Sequence, residues 1–396
     1  MSLKNNIYKL YVIKIAKWFM LIMPIITLFY QENGLGMKDV LLLQGIYSIA
    51  IVILEIPSGY FADIWGRKNT LIIGSILGVV GFGIYSVTFG FWGFLIAELT
   101  LGIGQSFISG SDSALLYDTL LLEKREQDYV KIEGQVLSIG NFAETFAAIL
   151  GGFIAEFSLR TPFIAQTLVA FIAVPAAFML IEPQQQIKKD GHKTNTLFVL
   201  KNTLLKNKEL QALIIFTAFI GTATLTMAWF IQPYLKDIQK LSLSEIGIAL
   251  SLLNLTVGLT TLIAYKIEES LGKIKSLIFI VLGITGSYFL IGTFQHWSIF
   301  FIIVLFYFVR GVATPILKDY INKATSSEIR ATILSIRNFA IRIVFAIAGP
   351  FIGWYSDSYS LQQALIISGW IVLIGASVSL IVYIKVSQTK IATTKM

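Results

Sequence analysis

Ile56-Pro-Ser-Gly-Tyr-Phe-Ala-Asp-Ile-Trp-Gly-Arg-Lys-Asn-Thr-Leu71 separates two long apolar runs, near 40–60 and 70–89. Each run is long enough to cross a bilayer, which takes about 20 apolar residues. Between them sit an acid, Asp63, and two adjacent cations, Arg67 and Lys68, framed by Gly59 and Gly66. Gly59 removes a side chain where the first run would approach a neighbour closely, and Gly66 permits a tight turn. The segment reads as a short polar loop between two membrane helices.

The rest of the chain extends that reading. It is 56% hydrophobic and 14% charged, with mean hydropathy +0.76, against roughly a quarter charged in a typical soluble domain. Twelve stretches reach spanning length, near 11–30, 40–60, 70–89, 93–117, 135–156, 162–181, 210–234, 244–265, 276–294, 298–319, 332–354 and 361–384. With both termini cytoplasmic, 22 of the 31 Lys and Arg fall in cytoplasmic segments, Lys318 at the cytoplasmic end of its span included. Lys38, Arg160, Lys236 and Lys240 fall in outer loops, and the other five, Lys14, Lys17, Arg310, Arg337 and Arg342, inside spans. That bias obeys the positive-inside rule, so the net charge of +8 reports topology and implies no nucleic-acid partner. The N-terminus runs into the first span without a small-residue cleavage site, which reads as a retained helix. There is no cysteine, which excludes disulfides and thiolate metal sites.

The longest polar stretch, Glu182 to Glu209, is rich in lysine and reads as a cytoplasmic linker between bundles 1–181 and 210–396. The two halves repeat each other. Val136-Leu-Ser-Ile-Gly-Asn-Phe-Ala143 matches Ile333-Leu-Ser-Ile-Arg-Asn-Phe-Ala340 at an offset of 197. The polar loop has a worn copy in which Glu269, Gly272, Lys273 and Leu277 stand for Asp63, Gly66, Arg67 and Leu71. The expected fold class is an all-α membrane protein with twelve transmembrane helices in two pseudo-symmetric six-helix bundles.

The loop fills every fixed position of G-x-x-x-D-x-x-G-R-K-x-x-L, and in this the chain resembles the major facilitator superfamily. The resemblance implies a transporter whose binding site lies between the halves near the midplane. It further implies a gating role for Gly59, Asp63, Gly66, Arg67 and Lys68. Asp63 would latch onto the positive end of span 11 in the opposite half, and Arg67 would pair with an acid at the end of span 4, here Asp118. Two family patterns are altered. Proton-coupled relatives carry R-x-x-Q-G-x-G in span 4, where this chain reads Glu98-Leu-Thr-Leu-Gly102-Ile-Gly104. Of the antiporter pattern G-x8-G-x3-G-P-x-x-G-G in span 5, only Gly134, Gly151 and Gly152 remain.

Ionisable residues inside spans are the other functional signal, because each costs about 2.5–3.5 kcal/mol at a helix centre by insertion scales. Glu98, Gln105 and Asp112 recur every seven residues, which places them on one helix face lining the path between the halves. Near-terminal snorkelling is the plainer alternative for the two acids. Glu144 lies about 13 Å into span 5 at 1.5 Å per residue, near Asn141 and next to Thr145, the residue that Arg342 matches in the repeat. Arg310 lies in mid-span 10, and Asn338 shares a face with Arg342. Three readings stay open. Glu144, Asp112 or Glu98 carries a coupled proton; the arginines bind an anionic substrate bidentately; or the charges are a structural pair. Trp229, Gln232 and Asn254 are further cavity candidates, with interfacial belting the alternative for the tryptophan.

No H-E-x-x-H, P-loop or G-x-S-x-G occurs, so neither an enzyme nor an ATP-driven pump is expected, nor any catalytic residue, metal or cofactor. The expectation is a monomeric secondary transporter of a bacterial inner membrane, exporting an amphipathic or drug-like solute against protons. Uptake of an anionic or zwitterionic metabolite is the first alternative, and a non-transporting sensor or scaffold the second.

Overall fold

The computed structural model describes residues 3, 5–183, 207–325 and 329–394. Most of the predicted linker therefore lies outside the described residues. Among them all regular structure is helical, and eleven helices are long and apolar enough to cross a membrane. The twelfth expected span, near 11–30, is not one helix. It is α1 (Asn5–Trp18) and the short α2 (Ile26–Glu32), joined by a run of turns. Pro24 lies in that break, where it cannot donate to a helical ladder. The freed amide of Leu21 donates to Gln166 Oε1 at 2.8 Å, as a broken helix at membrane depth requires. Gly151 makes room for the break, because a Cβ there would lie 2.0 Å from the Leu21 carbonyl oxygen.

The chain forms two compact units, 1–187 with 240–251, and 188–239 with 252–396. In the first, α3 (Met37–Trp65) leads through Gly66 into α4 (Arg67–Val87). Gly66 has φ +89°, in the left-handed region where glycine carries no side-chain penalty. Gly59 does not behave as expected. It is exposed on the end of α3, and a Cβ there would meet nothing within 4 Å. The close approach is made instead by α4 with α5 (Gly90–Ile108), where a Cβ on Gly74 would lie 2.9 Å from the Gly104 carbonyl.

Span 4 is also divided. It stops at Ser109 and restarts beyond Gly110, φ +81°, as α6 (Ser111–Leu122). After a 3-10 turn at Glu126–Asp128 come α7 (Tyr129–Ala155), α8 (Thr161–Phe171) and α9 (Ala173–Phe178). Pro175, which has no N–H for the Phe171 carbonyl, accounts for the step between α8 and α9. Arg160, before α8, donates to the carbonyls of Tyr85, Ser86 and Thr88 at the end of α4 and to Asn33 Oδ1. Burial holds its guanidinium below the ordinary arginine value, and Glu32 acts in the opposite sense.

The second unit begins with α10 (Lys208–Pro233), which continues through a π turn, Tyr234–Ile238. It then contains most of α11 (Leu243–Leu271), α12 (Lys273–Thr293), α13 (Ile299–Lys323), α14 (Arg330–Ser358) and α15 (Leu361–Thr394). The first turns of α11 belong to the first unit and pack on α7. Glu156 Oε1 accepts from the Ser244 amide at 2.9 Å and hydroxyl at 3.1 Å, and Ser251 Oγ donates to the Thr145 carbonyl at 2.8 Å. Gly152 and Gly247 let the two backbones meet there. Two of the three surviving glycines of the span 5 pattern, Gly151 and Gly152, are thus positions where a second backbone leaves no space.

Candidate functional site

Helix α4 starts without an acid in its first turn and without a side-chain cap of its own. Its leading amides would be orphans. Glu182, beyond the end of α9, supplies the cap: its carboxylate accepts from the Arg67 amide at 2.8 Å and the Lys68 amide at 2.6 Å. The Arg67 side chain forms an ion pair with Asp118 on α6 and donates to the Ala114 carbonyl at 2.6 Å. Asp118 is buried, with 8% of its side chain exposed. The polar loop is therefore held from two sides, by a carboxylate on its backbone and another on its arginine. Sequence reading assigned Glu182 to the linker and missed this role. The signal was an uncapped helix start in need of an anion.

Deeper in the same unit, a second cluster forms where α1, α6 and α7 meet. Lys14, Lys17, Asp112, Ser113 and Glu133 line a cavity of about 10 Å³, room for roughly one water. Lys14 is buried and approaches Asp112 at 3.8 Å. Ser113 Oγ donates to Glu133 Oε1 at 2.6 Å. Lys17 has no carboxylate within 4 Å among the described residues. Gly140 on α7 leaves the space that Trp18 and the Lys14 stem occupy, and the Lys14 ammonium stands 5.2 Å from the Trp18 ring. Asp112 was singled out from sequence; Lys14, Lys17 and Glu133 were not. The lysines look like two cations too many in an apolar span, which is itself the signal.

Glu98 does not join this cluster. The break at Ser109 and Gly110 ends the seven-residue face that would have aligned it with Asp112, and Gln105 stays on α5, partly exposed. Glu98 is 4% exposed. It accepts from Tyr30 at 2.7 Å and from Gln44, while the Tyr30 and Tyr85 hydroxyls lie 2.5 Å apart. These residues tie α2 to α3, α4 and α5.

Glu144 and Asn141 lie on α7, the first partly buried and the second exposed. The remaining candidates belong to the second unit. Arg310 lies 5.4 Å from the Tyr307 ring. Asn338 accepts from Arg337 at 3.1 Å, and Arg342 is partly exposed on the same helix, α14. Gln232 is buried, whereas Trp229 and Asn254 are partly so. The worn copy of the loop is wired differently. Lys273, the counterpart of Arg67, meets Glu209 at 3.4 Å and stacks 5.0 Å from Tyr320 and 4.9 Å from Tyr383. Asp319, near the end of α13, pairs along its own helix with Lys323 at 2.6 Å.

The sequence matches the model of the Major Facilitator Superfamily over residues 11–230 and again over 214–395. The chain belongs to this superfamily. An uncharacterized MFS-type transporter of Methanocaldococcus jannaschii is 24% identical over 277 residues, covering 68% of this chain and 69% of the relative. Multidrug resistance protein 2 of Bacillus subtilis is 25% identical over 211 residues, 51% of each chain. The crystal structure of the nucleoside transporter NupG superposes with a TM-score of 0.81 at 15% identity, covering 97% of this chain and 99% of that one. That likeness concerns the fold. Superfamily membership and the eleven apolar helices make this an integral, multi-pass membrane transporter. Its relatives here are transporters, not enzymes.

Proposed function

We propose that this protein is a proton-coupled secondary transporter that exports an amphipathic or drug-like solute by alternating access between two six-helix halves. The halves would be joined by the 182–209 linker, with both termini cytoplasmic and a monomer in a bacterial inner membrane as the working unit. One observation carries the reading: lysines and carboxylates are sunk among apolar helices around a water-sized cavity. Charges at that depth are expensive, and a proton pathway is a function that repays them. The name of the Bacillus subtilis relative, a multidrug resistance protein, supports a drug-like solute. In this scheme Asp63, Arg67 and Asp118 gate the cytoplasmic side. Arg310 and Arg342 serve as counter-charges to acids such as Glu144.

The test uses purified protein in liposomes carrying an imposed pH gradient. Ethidium serves as an amphipathic cation and radiolabelled succinate as an anion. Gradient-driven ethidium movement, with proton flow in the opposite direction, is the expected result. Succinate uptake without ethidium transport would replace export by the anionic-metabolite reading, with Arg310 and Arg342 as ligands.

A further inference from the structure

The polar cavity of the first unit supports the proton-coupled reading without saying which of its acids takes the proton. It is lined by two cations and two carboxylates, yet they are barely paired: Lys14 reaches Asp112 at 3.8 Å and Glu133 is held by a serine. At about 10 Å³ the cavity excludes any organic solute and admits about one water. A proton fits such a space.

We propose that Asp112 takes up the coupled proton, and that Lys14 passes from Asp112 to Glu133 as it does so. The inference rests on the proton-coupled reading above and names its acid. With both carboxylates ionised the site is neutral. A proton relayed from bulk solvent through the cavity water binds an Asp112 carboxylate oxygen and cancels its charge, leaving the water intact, one net positive charge and a lysine without its counter-ion. Glu133 lines the same cavity and is the anion then available to Lys14. Release of the proton to water reverses the exchange.

The surroundings single out these groups. Helix α1 contributes Lys14 and Lys17, α6 contributes Asp112, and α7 contributes Glu133, with Tyr129 beside Ser113. Helices α8 and α9, also packed on α1, carry no charged residue, and Arg67 on α4 is occupied by Asp118. Glu98 is sealed by its own hydrogen bonds, whereas the Asp112 side chain is 22% exposed. Both lysines sit immediately before the break in the first span. A lysine that changes partner therefore moves the end of α1 against a segment that is already unwound.

The experiment follows protonated-carboxyl absorption in the infrared, on the full-length protein in liposomes, across a pH series. Protons are the only ligand needed. Wild type should show a titrating band that Asp112→Asn removes. Lys14→Gln should move its pH profile, whereas Tyr11→Phe, outside the cavity, should leave it in place. Ethidium flux driven by a pH gradient should fall at least about tenfold in Asp112→Asn, the fold-change that about 1.4 kcal/mol represents. A band that survives Asp112→Asn, or one indifferent to Lys14→Gln, overturns the proposal even where wild type is proton-coupled. Wild type with no titrating band overturns it as well. Ethidium flux in wild type that ignores the pH gradient is the separate result that sinks the proton-coupled reading.

Discussion

Replacing Glu182 tests whether the polar loop is held by a carboxylate from outside the loop. The Arg67 and Lys68 amides both donate to it, at 2.8 and 2.6 Å, at the start of a 21-residue helix. Losing an N-capping side chain costs about 0.5–2 kcal/mol, and hydrogen bonds to a charged group lie at the upper end of the usual range. Glu182→Ala should therefore cost the helix start about 1–2 kcal/mol. Glu182→Gln keeps one acceptor and should cost about half that. Helix starts open locally, without global unfolding, so hydrogen–deuterium exchange in lipid nanodiscs is the suitable assay. The peptide covering residues 66–71 should exchange about 5–30 times faster in Glu182→Ala, the factor that 1–2 kcal/mol implies. Peptides from α12, whose start has no such clamp among the contacts described, should be unchanged. Equal protection of residues 66–71 in wild type and Glu182→Ala would refute the reasoning.

Gly151→Ala should lower the thermal stability of the protein. Its methyl would meet the Leu21 carbonyl at 2.0 Å, overpacking that costs about 1–3 kcal/mol, and an unchanged melting temperature would contradict the backbone contact. Arg67→Ala should destabilise by about 3–5 kcal/mol, because it strands a buried carboxylate on Asp118. Lys273→Met should cost only about 1–2 kcal/mol, the worth of partly exposed cation–π contacts. Equal losses in thermal unfolding would deny that the two loops are wired differently. Tyr30→Phe removes a donor from buried Glu98 and should cost about 1–3 kcal/mol. Pairing it with Glu98→Gln in a double-mutant cycle should show coupling, and strict additivity would reject the shared hydrogen bond.

Spans, their number to within one break, the repeat and the loop with Arg67 facing Asp118 were all legible in the sequence, because apolar run length and a fixed polar pattern are local properties. What escaped detection depends on partners distant in the chain. The break after Trp18 is stabilised by Gln166 and Gly151, more than a hundred residues away. Glu182 looks like one more charge in a polar stretch until its position beside an uncapped helix is known. Seven-residue spacing put Glu98 and Asp112 on one face, which holds only while the helix is continuous; Gly110 ends that continuity. Lys14 and Lys17 were given no role from the sequence, because nothing local reveals that Asp112 and Glu133 stand across from them.

The broken first span also bears on how the chain enters the membrane during synthesis. Its leading helix has 14 residues, three of them lysines (Lys9, Lys14 and Lys17), and a proline-containing break follows. Each central lysine opposes insertion by about 2.5–3.5 kcal/mol, and the groups that offset this burden, Asp112 and Glu133, are translated more than ninety residues later. This span is therefore a weak membrane anchor on its own. The chain's commitment to the bilayer falls to α3 and α4, and the first segment settles only once spans 4 and 5 arrive to receive its charges.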